Sequence, residues 1–225
     1  MKPLALLLAL ASLAWPLRAY AQTPAADPTV EVDFNNPELS PPYWTLTIHP
    51  DGSAHFRSQR GAPLPDARQS DTPDIDRDLH LSAPFAARVF EAARSHKLFN
   101  LECESKLKVA FQGWKKLSYT GPEGHGSCTF NYAKDKEIQA VSDSLLGVSA
   151  TIVEGARLLK LEQHDRLGLY NEMEMFTSGV ADGRFEQMSA IREILQQLAA
   201  DEALMERVRR RARGLLAQAD AENQK

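Results

Sequence analysis

Apolar and polar residues alternate along the chain from Tyr43 onwards. Trp44, Leu46 and Ile48 are separated by polar residues, which is the period of a half-buried β-strand. The following sequence, His-Pro-Asp-Gly at 49–52, is typical of a tight turn. A two-residue loop would bury a histidine and an arginine among apolar side chains, so we predict a three-residue loop. The predicted hairpin over 43–58 then pairs Ile48 with Ala54, Leu46 with Phe56 and Trp44 with Ser58.

The same alternation returns between residues 101 and 132. Apolar side chains occupy alternate positions from Leu101 to Phe111, again at Leu117 and Tyr119, and again from Cys128 to Tyr132. A three-residue loop at 113–115 keeps the apolar side chains of the first two runs on one face. It pairs Phe111 with Leu117 and Val109 with Tyr119. We therefore predict a hairpin here, followed by a further antiparallel strand after a turn-rich loop.

A strand and a helix are predicted between these two hairpins. Residues 75–81 alternate weakly and indicate a short strand. Ser82 is placed to cap a helix whose first turn contains Pro84, and that helix ends near Lys97. Its apolar stripe predicts that it lies across the sheet; the stripe is Phe85, Val89, Phe90 and Ala93.

The hydrophobic period changes to that of helices after Tyr132. Apolar residues in steps of three and four predict a helix from about Asp135 past Leu161. Two or three further helices follow, with Asp201 expected to cap the last one. The apolar pattern does not decide whether these helices pack on the sheet or form a separate bundle.

These elements predict an α+β fold. We expect an antiparallel sheet of about five to six strands with one packed helix, over residues 43–133. A C-terminal group of three to four helices should follow, over residues 134–220. Residues 22–42 are rich in Pro, Ala, Asp and Asn, and we predict a disordered tether there.

The first 21 residues are typical of a secretory signal peptide. A lysine at position 2 precedes an apolar run, and Ala-Tyr-Ala at 19–21 predicts cleavage between Ala21 and Gln22. An uncleaved membrane anchor is the alternative. Residues 1–21 contain one Lys, one Arg and no acidic residue, so their removal changes the net charge from -4 to -6. The sequence predicts a soluble, mildly acidic, secreted or periplasmic protein, with no transmembrane segment after cleavage and no affinity for nucleic acid.

Cys103 and Cys128 are the two cysteines of the chain. Both fall on apolar faces of predicted strands, and an exported protein meets an oxidising compartment, so we predict a disulfide between them. Two buried free thiols are one alternative. A catalytic Cys128 with His125 as its base is another.

The run YWTLTIHPDGSAHFRS, a helix and the segment LKVAFQGWKKLSY resemble small exported bacterial domains of unassigned function. Those domains repeat a hairpin, helix, hairpin order. The resemblance covers roughly residues 43–133. It implies a sheet-and-helix module, and it implies no activity.

Candidate chemistry is concentrated in the loop 121–128. Glu123, His125 and Ser127 lie among glycines, so we predict that they form a ligand loop if the protein has one. No motif for a metal or cofactor is present, and we predict neither. Five arginines between 207 and 213 suggest a contact with anionic lipid or polymer.

The pattern and composition favour a non-enzymatic interaction or structural module of the cell envelope, with an unknown protein partner. A hydrolase-like enzyme with its site near residues 121–128 is the first alternative. The second is a homodimer joined through the long helix, along the stripe from Ile138 to Leu159.

Overall fold

Six antiparallel strands form one sheet in the computed structural model, which describes residues 27–60 and 74–224. The predicted signal peptide and its cleavage site lie outside these residues. Along the sheet the strand order is β4-β3-β2-β1-β5-β6. The strands are β1 (Thr29–Asn35), β2 (Tyr43–Ile48), β3 (Ser53–Gln59), β4 (Ile75–His80), β5 (Trp114–Gly121) and β6 (Gly124–Phe130).

The first predicted hairpin is confirmed in its register. Strands β2 and β3 pair Ile48 with Ala54, Leu46 with Phe56 and Trp44 with Ser58. Gly52 completes the turn with a φ of 88°, a left-handed conformation that glycine adopts without steric cost. The predicted strand over 75–81 is also confirmed, as β4 beside β3.

The N-terminal segment differs from its prediction as a disordered tether. Residues 29–35 form β1, which lies between β2 and β5 in the sheet. Its side chains Val30, Val32 and Phe34 are buried and alternate with polar ones. The sequence TVEVDFN shows this alternation. The neighbouring Pro and Asp residues favoured the prediction of a disordered segment instead. The strand is internal to the sheet because both of its edges are paired.

The predicted hairpin between residues 101 and 119 is wrong. Strand β5 pairs with β1 on one edge and with β6 on the other. Residues 105–111 therefore have no edge of β5 to pair with, and they form a loop. The third predicted strand is confirmed as β6, which is joined to β5 by a tight turn at residues 122–123.

The predicted disulfide between Cys103 and Cys128 is present, with Cα atoms 5.7 Å apart. Cys128 lies on β6, whereas Cys103 lies in the segment that precedes the loop. Both side chains are buried in the core under the sheet. The disulfide therefore fixes the start of the loop to the outermost strand on that side.

In the described part of the chain, five α-helices follow or interrupt the strands: α1 (Ala83–Ser95), α2 (Lys136–His164), α3 (Arg166–Ala181), α4 (Arg192–Ala200) and α5 (Glu206–Glu222). Ser82 caps α1 as predicted, by accepting a hydrogen bond from the Phe85 amide. Asp135 caps α2 through the amides of residues 137 and 138. Asp201 does not cap the last helix, because it ends α4, and α5 begins five residues later.

Two hydrophobic clusters share the long helix α2. The first lies between the sheet on one side and two helices on the other, α1 and the larger N-terminal part of α2. In that part of α2, Ile138, Leu145 and Ile152 are fully buried. The second joins the C-terminal end of α2, at Leu158, to α3, α4 and α5. The stripe that we considered for a homodimer is thus largely buried within one chain. Within the described residues, no helix is long and apolar enough to cross a membrane.

Removal of the disulfide tests the covalent framework. The two cysteines are 25 residues apart, and closing a loop of this size stabilises a fold by about 3.5 kcal/mol through the entropy of the unfolded chain. We expect Cys103→Ala/Cys128→Ala to lose about this much free energy of unfolding in urea titrations. Wild type measured with reductant should lose a similar amount. Equal unfolding midpoints with and without reductant would contradict the prediction.

Candidate functional site

The predicted ligand loop is part of the β5–β6 hairpin. Glu123 lies in the turn and accepts hydrogen bonds from the Tyr119 hydroxyl and from Nε of Arg94, the latter at 3.2 Å. The Tyr119 hydrogen bond and Arg94 both lower the pKa of Glu123. His125 and Ser127 are instead exposed residues of β6, opposite Thr120 and Ser118 of β5.

The structure therefore does not bring the three predicted residues together. Glu123 bonds Tyr119 and Arg94, which belong to the side of the sheet that the helices cover. His125 and Ser127 are exposed on the opposite face of the sheet. Among the described residues, neither of these two side chains makes a hydrogen bond to another protein group. A nucleophile and its base need such a contact. The third candidate, Cys128, is held in the disulfide and is not a free thiol.

An exposed apolar loop is the most distinctive surface of the molecule. We define the apolar loop as residues 105–114. Of the eight large apolar side chains that are exposed in the described part of the chain, four belong to it. They are Leu107, Val109, Phe111 and Trp114, with exposed fractions of 66%, 38%, 48% and 50%.

Asn131 and the end of β6 fix the apolar loop in place. The Asn131 side chain accepts a hydrogen bond from the Gln112 amide at 2.7 Å and donates one to the carbonyl of Ala110 at 3.2 Å. At the other end, the Ser105 amide donates to the carbonyl of Tyr132. The loop is thus held to the sheet through its backbone, and its apolar side chains stay free to contact another surface.

Basic residues surround the apolar loop. Lys106, Lys108 and Lys116 are exposed, and residues 105–122 contain no Asp or Glu. Lys116 has one acidic neighbour, Asp33, at 3.9 Å. A chain with an overall negative charge thus carries a local positive charge around exposed aromatic and aliphatic side chains.

The arginines near the C-terminus have a different environment. Arg209 forms an ion pair with Glu206 at 2.7 Å, and Arg211 forms one with Glu174 at 3.3 Å. Arg213 also bonds Glu206, and Arg207 donates to the Tyr170 hydroxyl. These partners offset much of the positive charge of α5.

Lys115 is a buried lysine at the start of β5. It is 1% exposed, and its Nζ lies 5.9 Å from the centre of the Phe130 ring. Among the described residues, no group forms a hydrogen bond with this Nζ. Burial lowers the pKa of Lys115, and Asp143 and Glu104 partly oppose that change. The predicted three-residue loop at 113–115 had included this residue. Its inward position follows from Leu117 and Tyr119, because residues two apart on a strand share a face.

A cleft of about 440 Å³ opens between one end of the sheet and the middle of α2. This sheet–helix cleft has Phe34 and Trp44 on the sheet side, and their rings stack 5.2 Å apart. Leu146 and Val153 line it from α2, and Phe185 lines it from the segment after α3. Its size and apolar walls are typical of small-molecule sites.

Glu154 is the acidic residue that lines the sheet–helix cleft. It is 8% exposed, and Glu172 of α3 is the acidic side chain beside its carboxyl group. No donor group of the described residues bonds its Oε1. Glu172 in turn pairs with Arg157 at 2.9 Å. Burial, and then the charge of Glu172, raise the pKa of Glu154 to about 8, so that it is protonated at neutral pH.

A second cleft, of about 750 Å³, lies on the other side of the apolar loop. Several of its polar side chains already have partners in the chain. The Glu104 carboxylate accepts from the Asn131 amide, Gln139 donates to Asp143, and Lys134 lies 3.9 Å from Glu102. The sheet–helix cleft is therefore the stronger candidate for a ligand.

Comparisons with known proteins do not assign the chain to a family. No family model matches the chain, and no curated protein matches it. In the parts of the chain that the structure describes, no group of three or more His, Cys, Asp or Glu is placed to hold a metal ion. The candidate sites thus depend on the geometry of this chain alone.

Replacement of Lys115 tests the cost of its burial. Lys115→Met removes an unpartnered ammonium and keeps an unbranched apolar chain, so we expect at least about 1 kcal/mol of added stability at pH 7. Because the folded-state pKa is lowered, the difference should shrink as the pH rises towards 10.5, the ordinary lysine value. Thermal unfolding measures both effects. Lys116→Met, at the exposed neighbouring position, is the control and should change stability little.

Replacement of Glu154 tests the protonation of its buried carboxyl group. A folded-state pKa of about 8 against an ordinary value of 4.5 means that the folded chain holds one extra proton between these pH values. Wild-type stability should therefore fall as the pH rises, by up to about 1.4 kcal/mol per pH unit. Glu154→Gln should flatten this slope in urea titrations. Glu174→Gln, at an exposed position of α3, should keep it, and equal slopes for wild type and Glu154→Gln would refute the assignment.

Proposed function

We propose that this chain is an exported, non-enzymatic module of the cell envelope that docks on an anionic membrane surface through its apolar loop. The observation that carries the proposal is the clustering of half of the exposed large apolar side chains within residues 107–114. Exposed apolar side chains that are grouped in this way mark interaction surfaces.

The composition of the apolar loop favours lipid as its partner. Trp is suited to the interface between headgroups and acyl chains, because its indole ring has an apolar body and a polar N–H group. Phe adds a purely apolar ring that can insert among the acyl chains. A large apolar side chain that leaves water contributes about 1.5–3 kcal/mol when fully buried. Each nearby lysine adds about 1 kcal/mol at an anionic surface. Phe111, Trp114 and three exposed lysines together are sufficient for reversible binding.

The proposed compartment is the periplasm or the outside of the cell. The signal-peptide pattern of residues 1–21 supports export. The disulfide supports it independently, because such bonds persist in oxidising compartments. A non-enzymatic role is supported by the separation of Glu123 from His125 and Ser127. A protein partner in the envelope is the alternative occupant of the same loop.

Vesicle binding tests the proposal. The exported form of the chain, from Gln22, should sediment with vesicles that contain phosphatidylglycerol, and should do so less with vesicles of phosphatidylcholine alone. Trp114 fluorescence should shift to shorter wavelength as the indole leaves water. Phe111→Ser/Trp114→Ser should weaken binding by at least about tenfold, since two apolar anchors are lost.

Leu167→Ser is the matched control. Leu167 is 68% exposed at the start of α3, away from the apolar loop in the chain. Its replacement should leave vesicle binding unchanged. The lipid proposal is overturned if the wild-type chain fails to sediment at low salt, or if the double variant binds as well as wild type. In that case a protein partner becomes the better explanation of the exposed loop.

A further inference from the structure

Glu154 lines the sheet–helix cleft as a buried carboxyl group, and a second carboxyl group, Glu172, lies beside it. Their relative exposures are 8% and 7%, and Arg157 pairs with Glu172. If both carboxyls were ionised, one negative charge would stay uncompensated in a buried site, which is strongly unfavourable. Protonation of Glu154 removes that charge. A cation that reached Glu154 from the cleft would remove it as well.

The walls of the cleft are suited to the apolar part of such a cation. Phe34, Trp44 and Phe185 line the space, together with aliphatic side chains of α2. Aromatic faces attract organic cations through their electron-rich rings, and they also exclude water from an apolar ligand. At about 440 Å³, the cleft has room for a ligand of ten or so non-hydrogen atoms.

We propose that the sheet–helix cleft binds an organic amine with an apolar body, whose ammonium group donates to the Glu154 carboxylate. The ammonium then forms the ion pair that the buried site lacks, while Glu172 keeps its pairing with Arg157. The aromatic rings hold the body of the ligand. This inference is independent of membrane docking, which uses the exposed side chains of the apolar loop.

The chemistry of the exchange makes binding measurable as proton release. Near pH 7 the Glu154 carboxyl is mostly protonated, since its pKa is about 8. The amine enters as its cation, so about one proton must leave the protein for each ligand bound. A neutral molecule of the same shape releases none. The charged groups that act on Glu154 are Glu172 of α3 and Arg157 of α2.

Calorimetry with 2-phenylethylamine tests the proposal on the chain from Gln22. Titrations in two buffers of different ionisation enthalpy should show the release of about one proton near pH 7. The neutral analogue 2-phenylethanol should bind at least about tenfold more weakly and release no proton. In a Trp114→Phe background, Trp44 is the remaining tryptophan, and its fluorescence should change on binding.

Two variants test whether the amine binds in the sheet–helix cleft. Glu154→Gln should weaken amine binding by at least about tenfold and abolish proton release. Ala150→Trp leaves both carboxyls in place but fills part of the cleft, and it should also abolish binding. Glu174→Gln is the control and should bind as wild type does. The proposal is overturned if the amine does not bind at millimolar concentration, if the alcohol binds equally well, or if both cleft variants bind as wild type does.

Discussion

The burial of one long helix in two hydrophobic clusters is the constraint on which the rest of the structure depends. The N-terminal half of α2 covers the sheet, and its C-terminal end joins α3, α4 and α5. Because a single rigid helix serves both clusters, its middle section spans the gap between them. Gly155 allows close contact there, since a Cβ would lie 2.6 Å from the Ile191 side chain. The sheet–helix cleft lies along this same middle section of α2.

The position of β1 explains the apolar loop. Once β1 occupies one edge of β5 and β6 the other, residues 105–111 cannot join the sheet, although their alternation is typical of a strand. Backbone hydrogen bonds to Asn131 and the disulfide at Cys103 then hold the segment beside the sheet. Side chains that would have been half-buried in a strand are exposed instead. The apolar loop therefore has the residue pattern of a strand, and its apolar side chains are exposed as in a binding surface.

Among the described residues, three charged side chains are buried in a mainly apolar core: Lys115, Glu154 and Glu172. Lys115 is forced inward by the strand register that buries Leu117 and Tyr119, and no described group bonds its ammonium. The Glu154 carboxyl is buried where α2 meets α3, and its burial and the charge of Glu172 raise its pKa. Burial disfavours the charged forms that Lys115 and Glu154 would adopt in water. Glu154 also lines the sheet–helix cleft, which is why it suggests a ligand site.

The sequence by itself determined the local elements: the β2–β3 register, the cap at Ser82, the long helix and the disulfide pair. These depend on short-range periodicity, turn residues and the presence of only two cysteines. Tertiary structure decided which edges of β5 were occupied, and hence that the apolar loop is exposed and that Lys115 is buried. It also decided that Glu154 meets Glu172, because helix periodicity fixes which face a residue lies on but not what packs against it. Strand pairing and helix packing join residues far apart in the chain, and alternation alone cannot choose between two partners that satisfy the same period.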